Sequence, residues 1–119
     1  VKPYKKDYLV EKNHAASVIG SGDLEVLATP ALIGFAENAC KDMVLELLSA
    51  DETTVGIFIQ IEHLKASRIG ATVKVEAELL KHEKRRFDFQ VKVYEKKTLI
   101  ASGTHQRVAV NRQRFLEKL

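Results

Sequence analysis

The feature that most constrains this chain is a change of hydrophobic period. One stretch, "VLATPALIGFAENACKDMVLELL" from Val26 to Leu48, repeats with the period of about 3.6 residues that marks a helix. Thr29 is placed to cap it and Pro30 to open it, because proline's missing N–H has no partner to lose in a first helical turn. At about 100° per residue, Ile33, Ala36, Cys40, Met43, Val44 and Leu47 share one face. "SADET" ends the helix, and beyond it the period becomes two. In "TTVGIFIQIEHL", Val55, Ile57, Ile59, Ile61 and His63 fall on one side and Gly56, Phe58, Gln60 and Glu62 on the other. "ATVKVEAELL", "RFDFQVKVYE" and "LIASGTHQRVAVN" alternate in the same way. An earlier strand, "YKKDYLV", covers Tyr4–Val10, and a polar, glycine-containing loop leads from it to the helix.

One helix with five strands, four of them joined mostly by short turns, calls for an α+β domain with an antiparallel sheet wrapped around a single central helix. The 119 residues suit one compact domain over 1–119, with no linker, repeat or low-complexity tract. Such a sheet leaves an edge and a second face to cover, so a homodimer or higher homo-oligomer is expected.

Composition narrows the function classes. Hydrophobic residues make up 45% and charged residues 29%, enough apolar surface for a real core. No apolar run approaches the length of a membrane span, and "VKPYKKDYLVEK" lacks a signal-peptide core, so no membrane role is expected. The lone Cys40 rules out a disulfide framework and fits a cytoplasmic setting; its place on the apolar stripe makes it a packing residue. Net charge is +3, concentrated in "KHEKRR", which reads as a solvated hairpin turn. No aromatic residue interrupts that cluster to stack on bases, so no nucleic-acid role is expected. His14, His82 and His105 are scattered without metal-ligand spacing, and "GSG" lacks the Lys-Ser/Thr of a phosphate loop. No metal and no separate cofactor are expected.

Three residues stand out. Glu37 lies on the flank of the helix's apolar stripe, where a carboxylate loses hydration. His63 shares parity with three isoleucines, and Thr29 stands at the helix start. Singly these read as a rim glutamate, a structural histidine and a cap. Together, in one apolar cleft, they could perform acid–base or acyl-transfer chemistry. Thr29 and Glu37 are eight residues apart, about 12 Å along an ideal helix. Either the first turn is irregular near Gly34, or a second subunit completes the site. Phe35 points off the main stripe; it is either a core residue of a wider stripe or a contact to a partner subunit.

The pattern Thr29 to Glu37, then "TTVGIFIQIEHL" with Gly56 and His63, then "ASGTHQRVAV", resembles the hotdog-fold thioesterases, and more narrowly the fluoroacetyl-CoA thioesterase group. The resemblance runs from about Val10 to Val110. It implies hydrolysis of an acyl-CoA thioester in a cleft between two subunits, with CoA as part of the substrate. Glu37 would serve as general base or nucleophile, Thr29 would position or activate, and His63 would move protons. It implies that Gly56 lets the backbone approach the acyl group and that His105 and Arg107, on the last strand, serve the CoA side. In one respect the chain departs from the group: "GSGDLEV" has no aromatic lid residue ahead of the helix. A small acyl-CoA or aryl-CoA is therefore the expected substrate. The alternative is a non-catalytic acyl-CoA-binding module of the same fold. A hydratase is disfavoured because no Asp is followed five residues later by His in a suitable loop, and a DNA-binding regulator would need an added helical module.

Overall fold

The computed structural model describes residues 2–119. The elements are β1 (Tyr4–Leu9), α1 (Ala16–Ile19), α2 (Thr29–Met43), β2 (Glu52–His63), β3 (Thr72–Glu83), β4 (Arg86–Glu95), β5 (Thr98–Asn111) and α3 (Arg112–Glu117). The five strands form one antiparallel sheet in the order β1-β3-β4-β5-β2, so β1 and β2 are its edges. Two-residue turns join β3 to β4 and β4 to β5. Their first residues, Lys84 and Lys96, take positive φ, so "KHEKRR" does lie in a hairpin.

Helix α2 lies across the sheet. It buries Leu32, Phe35, Ala36, Ala39, Cys40 and Val44 against Val73, Val75, Ala77, Phe87, Phe89, Val91 and Val93. The buried stripe is rotated from the sequence expectation. Leu32, Phe35 and Ala39 are inside, Ile33 is half-buried and Leu47 is exposed. Phe35 is a core residue: its ring stacks on Tyr8 at 4.7 Å and meets the edge of His14 at 4.9 Å. The rotation has a cause in β1, whose Tyr8 needs a partner on that side. Lys6 on the same strand clamps the helix, donating to Asp42 at 2.6 Å and to Asn38 at 2.8 Å.

Two boundaries also move. Ala28, not Thr29, is the capping residue, so Thr29 is the first helical residue and its side chain is free to bond elsewhere. The helix stops at Met43, and Leu45–Leu47 form a 3-10 turn instead of a last helical turn.

The largest correction is in β2. Gly56 pairs with Arg107, but the next pairing is Phe58 with Gln106, so Ile57 is an extra residue. This β-bulge inverts the alternation. Thr54 and Gly56 face the helix before it; Ile59, Ile61 and His63 face the helix after it, while Ile57 and Phe58 stand exposed. The expected grouping of Val55 and Ile57 with His63 is therefore wrong. A bulge adds one residue without altering composition, so strict parity counting cannot see it.

Gly103 marks a close approach of β5 to β2. A Cβ there would collide with the Gln60 carbonyl oxygen and come within 2.7 Å of Ile61 Cα, both of them backbone. Gly103→Ala should cost about 3 kcal/mol and lower Tm by more than about 10 °C, read by thermal melting. A melting curve like the wild type's would mean that β2 and β5 can separate freely.

Candidate active site

The first turn of α2 and the end of β2 bring Thr29 and His63 together. Thr29 Oγ1 lies 2.7 Å from His63 Nδ1. His63 Nε2 is buried and has no hydrogen-bond partner among the described residues. Both side chains line a cavity of about 260 Å3 that also touches Ala16, Ala28, Lys65 and Ala66. Burial pushes His63 below its ordinary value, and the Lys65 backbone, too poorly placed to bond Nε2, opposes this only in part. At neutral pH the ring is therefore neutral, with Nδ1 held by Thr29 and Nε2 buried beside the cavity that His63 lines. Pro30 has no N–H, and the Thr29 and Ala31 N–H groups find no backbone acceptor among the described residues. The positive end of a 15-residue helix thus points at the same place.

Glu37 stands two turns further along the same helix. Its carboxylate reaches toward β2, so close that a Cβ on Gly56 would sit 2.9 Å from Oε2. Only glycine leaves room for that approach. Glu37, Gly34, Asn38, Lys41, Gly56 and Arg107 line a second, more open cleft of about 330 Å3.

Behind Gly56 lies a buried polar network. Arg107 donates from Nε to Thr54 Oγ1 at 2.7 Å and from Nη2 to the Thr54 carbonyl at 2.9 Å. Its Nη1 meets His105 Nε2 at 3.1 Å. His105 Nδ1 lies 2.7 Å from the Phe58 carbonyl. A carbonyl only accepts and a guanidinium only donates, so His105 carries its proton on Nδ1 and is neutral. Burial also pulls His105 down, partly opposed by the Phe58 carbonyl. Burial pulls Arg107 down too, and the Glu37 charge opposes it, although among the described residues no carboxylate oxygen lies within 4.0 Å of the guanidinium. His105 is 1% exposed and Arg107 7%. His105 thus braces the bulge from behind, and only Arg107 reaches the cleft.

Of the expected residues, the structure joins Thr29 with His63, and Glu37 with Gly56 and Arg107. It does not join the two groups within one chain. Helix α2 is continuous through Gly34, so no irregular first turn brings Glu37 back to Thr29. Cys40 is fully buried and its thiol is pushed up to about 12, mainly by burial, which fits packing and not nucleophilic attack. Sequence reasoning missed Thr54, because parity set it on the wrong face, and Lys65, which follows the strand in a loop.

Comparison with known proteins identifies the fold and the family. The fold is that of the hotdog thioesterases. A thioesterase superfamily protein from Thermus thermophilus superposes with a TM-score of 0.88 at 23% identity, over 98% of this chain and 86% of that one. The profile of the fluoroacetyl-CoA-specific thioesterase family matches residues 10–113, and the chain belongs to that family. A fluoroacetyl-CoA thioesterase from Streptantibioticus cattleyicolor is 35% identical over 95 residues, which is 80% of this chain and 68% of that protein. A crystal structure of a point mutant of the fluoroacetyl-CoA-specific thioesterase FlK, in complex with fluoroacetate and CoA, superposes with a TM-score of 0.92 at 29% identity, over 97% and 94% of the two chains. The protein is accordingly an enzyme, a thioester hydrolase, and the non-catalytic reading is set aside.

The two neutral histidines make stability depend on pH. Both have folded-state values below 6.5, so the unfolded chain binds more protons at mildly acid pH. Their contribution is fully present above about pH 6.5 and is lost as pH falls through the folded values. The urea midpoint should fall between pH 7 and pH 5. His105→Asn, whose amide can still donate to the Phe58 carbonyl, should make that fall shallower. An unchanged slope would assign the acid sensitivity to other groups.

Proposed function

We propose that the chain hydrolyses a small acyl-CoA thioester to the free acid and CoA in a cleft shared by two copies. The observation that carries this reading is the 2.7 Å contact between Thr29 and His63 at the open helix start. It faces a cavity walled by Ala16, Ala28 and Ala66, whose small side chains leave room for an acyl group. The FlK structure with fluoroacetate and CoA supports the substrate class. The missing aromatic lid in "GSGDLEV" argues for small acyl groups in general over fluoroacetyl alone.

The reaction needs a carboxylate, and a regular helix holds Glu37 two turns from Thr29. Glu37 of the partner subunit supplies it. Strand β2 favours such pairing: it is a 12-residue edge with Ile57 and Phe58 exposed at its bulge, a surface that invites a second copy. In this homodimer the thioester carbonyl sits against the Thr29 and Ala31 N–H groups, which stabilise the developing oxyanion. Glu37 either takes a proton from water as the water oxygen attacks the carbonyl, or attacks it directly to give an anhydride that water opens. In both routes the C–S bond breaks and the departing thiolate takes up a proton. His63, neutral and anchored by Thr29, relays that proton. Arg107 stabilises the Glu37 carboxylate through its field. The setting is a reducing cytoplasm.

Glu37→Gln and Thr29→Ala should each lower kcat by about 100-fold or more with little change in Tm, measured as thiol release from a panel of acyl-CoAs. Mixing the two inactive variants through unfolding and refolding should restore about a quarter of wild-type activity. Half the dimers would be mixed, and each would hold one intact site. No recovery, with dimers confirmed by light scattering, would place Glu37 and Thr29 in separate functions and end the shared-cleft reading.

A further inference from the structure

The cavity beside Thr29 and His63 has one cation in its wall. Its volume is about 260 Å3, and Ala16, Ala28 and Ala66 keep it wide. Ser21 and Thr29 bring hydroxyls, and His63 is neutral. Lys65 alone among the lining residues carries a charge at neutral pH, an ammonium on a flexible four-carbon stem. No acidic residue lines the cavity.

The backbone of this lysine is pinned from two sides. The Leu64 and Lys65 N–H groups both donate to the Ile100 carbonyl, at 2.7 and 3.2 Å. The Leu27 N–H donates to the Ser67 carbonyl at 2.9 Å, and Val26 bridges Arg68 in antiparallel register. Carried to the start of α2, that register sets Lys65 beside Thr29. The side chain is exposed and unpaired: among the described residues no carboxylate oxygen lies within 4.0 Å of its ammonium. Glu62, the nearest acidic residue in sequence, stands on the opposite side of β2 from His63.

An ammonium in the wall contributes nothing to the binding of an aliphatic acyl chain. A chain that ends in a carboxylate forms a charge-assisted hydrogen bond with it, and filling the cavity removes the water that would screen the pair. With the thioester carbonyl against the Thr29 and Ala31 N–H groups, the acyl chain enters the alanine-walled space. Lys65, beside Thr29, is within reach of the end of a short chain.

We propose that Lys65 selects acyl groups ending in a carboxylate, so that the preferred substrates are CoA thioesters of short dicarboxylic acids. The inference rests on the acyl-CoA reading above and adds the chemistry of the acyl group. Succinyl-CoA and butyryl-CoA test it, because their acyl groups have the same number of carbons and differ in ending on a carboxylate or a methyl. The wild type should hydrolyse succinyl-CoA with a kcat/KM about tenfold higher. Lys65→Gln should bring that ratio close to one, and Lys65→Arg should keep most of it. Both variants should melt like the wild type, since the side chain is exposed. Calorimetric titration of the full chain with thioether analogues of the two substrates, whose acyl–sulfur link water does not cleave, reads the preference without turnover. The same difference is expected there, and its loss in Lys65→Gln. Preference between the analogues without turnover of either thioester would end the catalytic reading and leave this one standing. Equal affinity of the wild type for both analogues overturns the proposal. So does a preference that survives Lys65→Gln, or an equal weakening of both analogues in that variant, which would put Lys65 on the CoA portion they share.

Discussion

The site depends on one extra residue. The bulge at Ile57 lets two positions seven apart, Gly56 and His63, face the same helix. In a regular strand an odd spacing sends them to opposite faces. The bulge is held from behind by His105 on the Phe58 carbonyl and by Arg107 on both polar atoms of Thr54. Removing any of these partners would leave a buried donor or acceptor unpaired, which costs more than the bond itself contributes. That explains why a histidine and an arginine sit almost fully buried in a chain this small. They are the bracing that makes an irregular strand rigid.

Rigidity at that point sets the position of the carboxylate. Gly56 gives Glu37 room to lean on β2, and Arg107 gives it a favourable field without a closed ion pair. A closed pair would occupy the oxygens that the proposed chemistry needs. At the other end of the helix, Thr29 is released from capping because Ala28 takes the boundary position, and its hydroxyl turns to His63. One straight helix thus carries two half-sites about 12 Å apart. In the proposed homodimer, the exposed β2 edge would let a second copy bring complementary halves together.

Much of this was legible in the residues, for reasons that can be stated element by element. The strands Thr72–Glu83 and Arg86–Glu95 alternate cleanly over Val73–Leu79 and Phe87–Val93, because the register shifts at Leu79/Lys81 and Val93/Tyr94 fall at the ends of those buried runs. Thr29, Glu37, Gly56 and His63 were recognisable as a set because their spacing resembles one family's pattern, not because periodicity placed them together. Periodicity alone put Gly56 and His63 on opposite sides. Phe35 could not be assigned from the helix wheel, since its partner is Tyr8, distant in sequence.

The sequence by itself determined that there would be one central helix, a set of antiparallel strands and a carboxylate beside the apolar stripe. Hydrophobic period is a local property and needs only neighbouring residues to be read. Only the tertiary structure decided which face of β2 meets the helix, which residue begins that helix, and that Glu37 stands apart from Thr29 and His63 within a protomer. Those outcomes turn on a one-residue register shift and on buried hydrogen bonds between strands. Such bonds join groups far apart in the chain, and no local pattern encodes them.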